Sequence, residues 1–274
     1  MICLCAVELF AAEPQGSKNY CLDCHPVHYT EGGSCTDCHR GFPGTPRLNI
    51  AHNGLIAARF AAFTLAENEM VKRGQQRLEN YACRRCHISA EKGNRLAANL
   101  DLVQRDTSPE ELDAAIESPV LFMPEFHFTE LQRTELVNAI LLGGRFFEAP
   151  EQELPMVVHF EGEESSREFQ FEKHCGSCHR ALTARYGGLG SGLIGPNLSG
   201  VFSEFYLPNF GDDQQRWTRK NLEKWLKNPR QIRPVTQMSP VALKGEEFER
   251  ICDELGDGSS PGELSAIGSG ARLQ

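Results

Sequence analysis

Residues 21–39 read CLDCHPVHYTEGGSCTDCH. Two Cys-x-x-Cys pairs stand a short loop apart, a spacing that thiolate metal sites also use. Each pair is followed at once by histidine. The pattern returns twice more, at Cys83, Cys86 and His87 and at Cys175, Cys178 and His179. Of 11 cysteines, eight fall in the four pairs Cys21/Cys24, Cys35/Cys38, Cys83/Cys86 and Cys175/Cys178, and His25, His39, His87 and His179 follow them. Histidine is roughly one residue in thirty here, so four such coincidences have a chance on the order of one in a million. A zinc ribbon needs the pairs but not the histidines. A thioredoxin-like redox pair comes once, beside a βαβ pattern, and none is visible.

Covalent haem attachment does need this spacing. Two thiols must reach the two vinyl groups of one porphyrin, and the adjacent imidazole must reach the iron from the same side. The four motifs resemble those of multihaem c-type cytochromes. The resemblance implies four covalently attached haem c groups, one per motif, with His25, His39, His87 and His179 as proximal iron ligands. Such proteins are matured outside the cytoplasm. The start of the chain agrees: MICLCAVELFAAEP has an apolar stretch and small residues before Glu13, and residues 1–12 read as the end of an export signal without its basic region. Whether the true start lies upstream is left open; the expected location is periplasmic, with association to the membrane through partner subunits as an open alternative.

The totals narrow the field further. A formal charge of -9 argues against non-specific nucleic-acid binding, which needs a surplus of Lys and Arg. No apolar run approaches the roughly 18–20 residues that span a bilayer. Glycine and proline are plentiful and strand alternation is scarce, so the chain reads as mainly α, with helices joined by long irregular segments.

Residues 165–256 resemble class I cytochrome c. FQFEKHCGSCH (169–179) leads into GLIGPNLSGV (192–201) and then TRKNLEKWLKNPRQIRPVTQMSP (218–240). Thr218 caps a helix that includes Leu222, Trp225 and Leu226, and Pro229 stops it. GEEFERICDELGD (245–257) gives a last helix with Phe248, Ile251 and Leu255 on one face. The resemblance implies that Met238 is the distal ligand and that the Pro196 carbonyl accepts the second ring proton of His179.

Residues 68–147 repeat the plan. MVKRGQQRLENYACRRCH (70–87) is helical up to the attachment site. Ser108, Pro109 and Glu111 form a capping box for the next helix. Met123 is followed by proline and stands as the distal ligand, with His127 four residues on as its rival. TELQRTELVNAILLGG (129–144) reads as a capped final helix with a double-glycine stop. One departure is plain: AANLDL (97–102) stands where the other domain has IGPNLSG, which removes the proline carbonyl expected to hold His87.

Residues 13–67 hold the other two motifs. No methionine lies between Met1 and Met70, so the distal ligands are expected from His28 and His52. The sequence leaves their pairing open, with a lean towards His28 on the second haem and His52 on the first. With so little chain, the porphyrins must form much of the core of this dihaem bis-His module. The apolar stretch 53–70 reads as a connecting helix, or as a docking helix for a membrane partner. Residues 148–164 read as an acidic, proline-containing linker and 257–274 as a disordered Gly/Ser-rich tail. Cys252 reads as a buried helical cysteine.

The expected architecture is thus a compact dihaem module followed by two class I-like helical domains. Met/His ligation raises haem potentials. Electrons would then run from the N-terminal module, through the haem of Cys83/Cys86, to that of Cys175/Cys178. Six-coordinate irons favour electron transfer over catalysis. The expected role is a carrier in a bacterial respiratory chain, partnered by a membrane cytochrome b or iron–sulfur subunit that oxidises quinol and by another cytochrome. The competing readings are a haem enzyme with one open iron, such as a peroxidase or an oxyanion reductase, and a subunit of an extracellular cytochrome filament.

Overall fold

The structure is a computed structural model that describes residues 18–65, 67–147, 168–211 and 214–256. The signal-like segment 1–12, the linker 148–164 and the tail 257–274 lie outside the described residues. The chain forms two compact units, one through residue 65 and one from residue 66.

The first unit is built from single turns. Short 3-10 turns at Tyr20–Asp23 and Thr30–Gly32 precede α1 (Cys35–His39) and α2 (Leu48–Ala51). Asn19 starts the first turn by accepting from the Cys21 amide, and Ser34 and Asp37 form a capping box on α1. Left-handed Arg40 and Gly41 then end α1 after one turn. No residue from 18 to 55 is buried. The apolar contacts sit later, at Ile56, Phe60, Ala61 and Phe63.

The connecting helix expected over 53–70 does not form. Instead the segment makes two 3-10 turns, Ala58–Phe60 and Ala62–Thr64, and a helix begins only at Glu69, where Asn68 caps it. A 3-10 turn repeats every three residues, so Phe60 and Phe63 share one side and are buried together. Burial of two aromatic rings outweighs the helix preference of the alanines between them.

In the second unit, α3 (Glu69–Asn80), α4 (Pro109–Glu117) and α5 (Glu130–Gly144) make a first lobe. The Ser108–Glu111 and Thr129–Gln132 capping boxes start α4 and α5. Helices α3 and α5 meet at Gly74, where a Cβ would collide with the Glu135 carbonyl. Beside that crossing the Glu135 side chain, only 1% exposed, lies between Arg73 at 2.5 Å and Arg77 at 2.6 Å. Burial pushes its carboxyl upward in pKa, but the two guanidiniums outweigh that and hold it below the ordinary range. Helix α5 ends at Gly144, where the double glycine is expected to stop it, with Arg145 as its C-cap; both glycines also pack closely on Asp101.

The second lobe has α6 (Gln170–His174), an antiparallel hairpin of β1 (Ala181–Thr183) and β2 (Gly187–Leu189), then α7 (Arg219–Lys227), α8 (Pro229–Ile232) and α9 (Gly245–Leu255). Thr218 caps α7 by accepting from the Asn221 amide. Phe171, Leu189, Trp225, Leu226, Ile251 and Cys252 share one buried cluster. Helices α6 and α9 are tied by Glu254, whose carboxylate accepts from the Gln170 and Phe171 amides at 2.9 and 2.7 Å. A buried carboxylate thus satisfies two of the donors that a helix start leaves orphaned. No helix among the described residues is long and apolar enough to cross a membrane.

Both tryptophans of the chain, Trp217 and Trp225, lie in this lobe, so fluorescence-detected guanidinium unfolding reports on it. Glu254→Ala should cost about 2–3 kcal/mol, the order of a charge-assisted hydrogen bond lost at a buried helix start. Glu254→Gln should cost less, and an unchanged midpoint for both would refute the capping role. At the α3–α5 crossing, the depressed pKa of Glu135 gives stability that is complete above the ordinary carboxyl value of 4.5. That stability is lost as pH falls through the lower folded value. The stability gap between the native chain and Glu135→Gln should therefore be widest near neutrality and close in acid.

Candidate haem-binding sites

Each Cys-x-x-Cys-His motif folds into one tight turn. The amides of His25, His87 and His179 donate to the carbonyls of Cys21, Cys83 and Cys175 at 2.9, 3.1 and 2.9 Å. The remaining motif is helix α1 itself. An i to i+4 turn places the first cysteine and the histidine on one side, with the second cysteine between them. Sequence spacing thereby becomes a three-point grip.

Three of the four histidines have a ring nitrogen held by a backbone carbonyl. His179 Nδ1 lies 2.8 Å from Pro196 O, as the class I resemblance implies. Gly195 is required there, since a Cβ would collide with the His179 ring. His87 Nδ1 lies 2.8 Å from Ala98 O, so the AANLDL loop supplies the carbonyl without a proline. His39 Nδ1 lies 3.0 Å from Ile56 O. Such a bond fixes ring orientation and leaves Nε2 as the free ligand atom. Burial also pushes the His87 pKa down, against the pull of the Ala98 bond, which favours the neutral imidazole that a metal needs.

The first unit brings its four histidines together in two pairs. His25 and His52 have ring centroids 6.3 Å apart, and His28 and His39 5.9 Å apart. With a metal–nitrogen bond of about 2 Å on each side, and each ring centre about 1 Å further out, a six-coordinate iron fits between centroids about 6 Å apart. His52 thus stands beside the histidine of the first motif and His28 beside that of the second.

In the second unit, Met238 is half-buried and its Sδ accepts from Trp225 Nε1 at 3.0 Å. That contact uses one sulfur lone pair and leaves the other. Met123 is half-buried in the loop after α4. Its rival His127 is turned outward, its side chain 78% exposed and 3.2 Å from Glu125.

The surroundings suit a large apolar group. Leu193 and Ile194, beside Gly195, are 74% and 87% exposed, Leu121 near Met123 is 85% exposed, and Val235 near Met238 is 92% exposed. Apolar side chains so exposed and so placed are what a porphyrin face would cover. The uncovered residues 18–55 make the same point for the first unit. Burial pushes the Cys83 and Cys175 thiols up to about 11 and raises Cys86 as well.

The carbonyl partners of His39 and His87 were absent from the sequence reading. Ile56 carried a signal, because it follows His39 by 17 residues, the same offset as Pro196 from His179. Ala98, 11 residues after His87, carried none, since any residue offers a carbonyl.

The family described as "Cytochrome C oxidase, cbb3-type, subunit III" matches residues 69–141, from the first residue of α3 to near the end of α5. No curated protein and no solved structure matches the chain. With Cys83, Cys86 and His87 inside the matched segment, the chain carries a c-type cytochrome domain, an electron-transfer module with covalently bound haem c.

Proposed function

We propose that the whole chain is a tetrahaem electron carrier. The observation that carries this reading is the pairing of imidazoles in the first unit, His25 with His52 and His28 with His39, each at the spacing of two axial ligands. It extends the c-type cytochrome assignment of residues 69–141 to the two motifs farthest from it.

When bound, each haem supplies a one-electron iron couple. The chain's residues do the rest. Cys21, Cys24, Cys35, Cys38, Cys83, Cys86, Cys175 and Cys178 anchor the groups. His25, His39, His87 and His179 would each give an imidazole to an iron. His52, His28, Met123 and Met238 would supply the second protein ligands, and irons so held would carry electrons rather than bind substrate. Imidazole pairs set lower potentials than Met/His pairs. Residues 18–65 therefore face the electron donor, and residues 168–256 face the acceptor. The role that fits is a periplasmic carrier in a bacterial respiratory chain, working beside a membrane cytochrome b or iron–sulfur subunit and another cytochrome.

Protein made with a c-type maturation system should carry four covalent haems by mass, all low-spin. Replacing both cysteines of any one pair with serine should remove one haem. His52→Ala and His28→Ala should each keep four haems and turn one high-spin. Fewer than four haems in the native chain would end the tetrahaem reading. A high-spin iron in the native chain would favour a haem enzyme with an open site.

A further inference from the structure

The two lobes of the second unit meet through residues that immediately follow the fixed points of the His179 site. Arg180 follows His179, and Asn197 follows Pro196, whose carbonyl holds the His179 ring. Both reach across to the loop that carries Met123. Arg180 Nη1 donates to Leu121 O at 3.0 Å and Nη2 to Met123 O at 3.3 Å. Asn197 Nδ2 donates to Phe122 O at 2.8 Å. Three successive carbonyls, 121, 122 and 123, are thus held by the other lobe.

Asn197 is itself locked. It is buried, and its Oδ1 accepts from the Ser199 amide and hydroxyl at 2.9 and 2.6 Å. Its carbonyl accepts from Tyr206 Oη at 3.3 Å and from Arg85 Nη1 at 3.1 Å. Arg85 lies inside the Cys83–Cys86 motif. The same residue therefore touches the attachment turn of one haem site and that site's Met loop, and it sits in the loop whose Pro196 carbonyl holds His179.

Within the loop, Leu121 has a positive φ of 55° and the Met123 amide donates to Val120 O at 3.2 Å, and the Phe122 ring lies against Gly188 of the other lobe. A thioether is a weak ligand on a flexible stem, so its bond to iron depends on where the backbone places it.

We propose that Arg180 and Asn197 are positioning residues for Met123: the second lobe sets the distal ligation of the first lobe's haem. This rests on the reading of Met123 as that haem's distal ligand. Loosening the clamp frees Met123 from its iron, lowers that site's potential, and leaves Met238 in place.

The test uses the full haem-loaded chain and three substitutions: Met123→Ala, Arg180→Gln and Asn197→Ala. The readouts are the sulfur-to-iron charge-transfer band of the oxidised protein, haem content, and reduction potentials. Met123→Ala should remove roughly half of the band, one of two Met-ligated sites. Arg180→Gln and Asn197→Ala should reduce the band towards the same level and lower one potential, with four haems retained. Arg180→Lys keeps the charge but loses the two-pronged donor, so it should also weaken the band. It serves as the milder variant should Arg180→Gln fail to fold. If Met123→Ala halves the band while the clamp variants keep it whole, the positioning role is wrong and the ligand reading stands. If Met123→Ala leaves the band unchanged, the ligand reading fails, and the positioning role with it.

Discussion

A tight turn with cysteine at its first and fourth positions and histidine at its fifth is the constraint on which the rest depends. It is closed by one backbone hydrogen bond, seen at 2.9–3.1 Å in three of the motifs and replaced by helix α1 in the fourth. The turn puts two sulfurs and an imidazole on one side of the backbone. Everything nearby is arranged to orient that imidazole or to cover what it binds. The carbonyls of Ile56, Ala98 and Pro196 come from unrelated loops yet meet the same atom, Nδ1.

The two units meet this constraint with different means. The second unit has ordinary cores, in which α3 crosses α5 at Gly74 and α6 is capped from α9 by Glu254. The first unit buries nothing from residue 18 to residue 55. Its four histidines stand in two pairs, and under the proposed reading a chain this short would gain its apolar contacts from prosthetic groups rather than from side chains. That difference parallels the proposed ligand sets, imidazole pairs in one unit and thioethers held by protein packing in the other.

The sequence disclosed whatever depends on local pattern. The motifs, the capping boxes at Ser108 and Thr129, the Thr218 cap and the amphipathic α7 and α9 are all short-range, and all are present. It misled where tertiary contact overrode composition. The alanine-rich stretch before Glu69 turns twice to bury Phe60 and Phe63. It was silent where the group that matters is a backbone carbonyl, as at Ala98, or where a contact joins distant segments, as between Arg180 and Met123. The β1–β2 hairpin, two strands of three residues, was too short for alternation to show.

The central claim is that this one chain holds two classes of iron, imidazole pairs in residues 18–65 and imidazole–thioether pairs after them. A spectroelectrochemical titration of the intact protein tests it most directly. The account predicts two resolved groups of two electrons each, with the sulfur-to-iron band changing only in the higher-potential group. A band that titrates with the lower group, or four overlapping potentials with no such division, would contradict it.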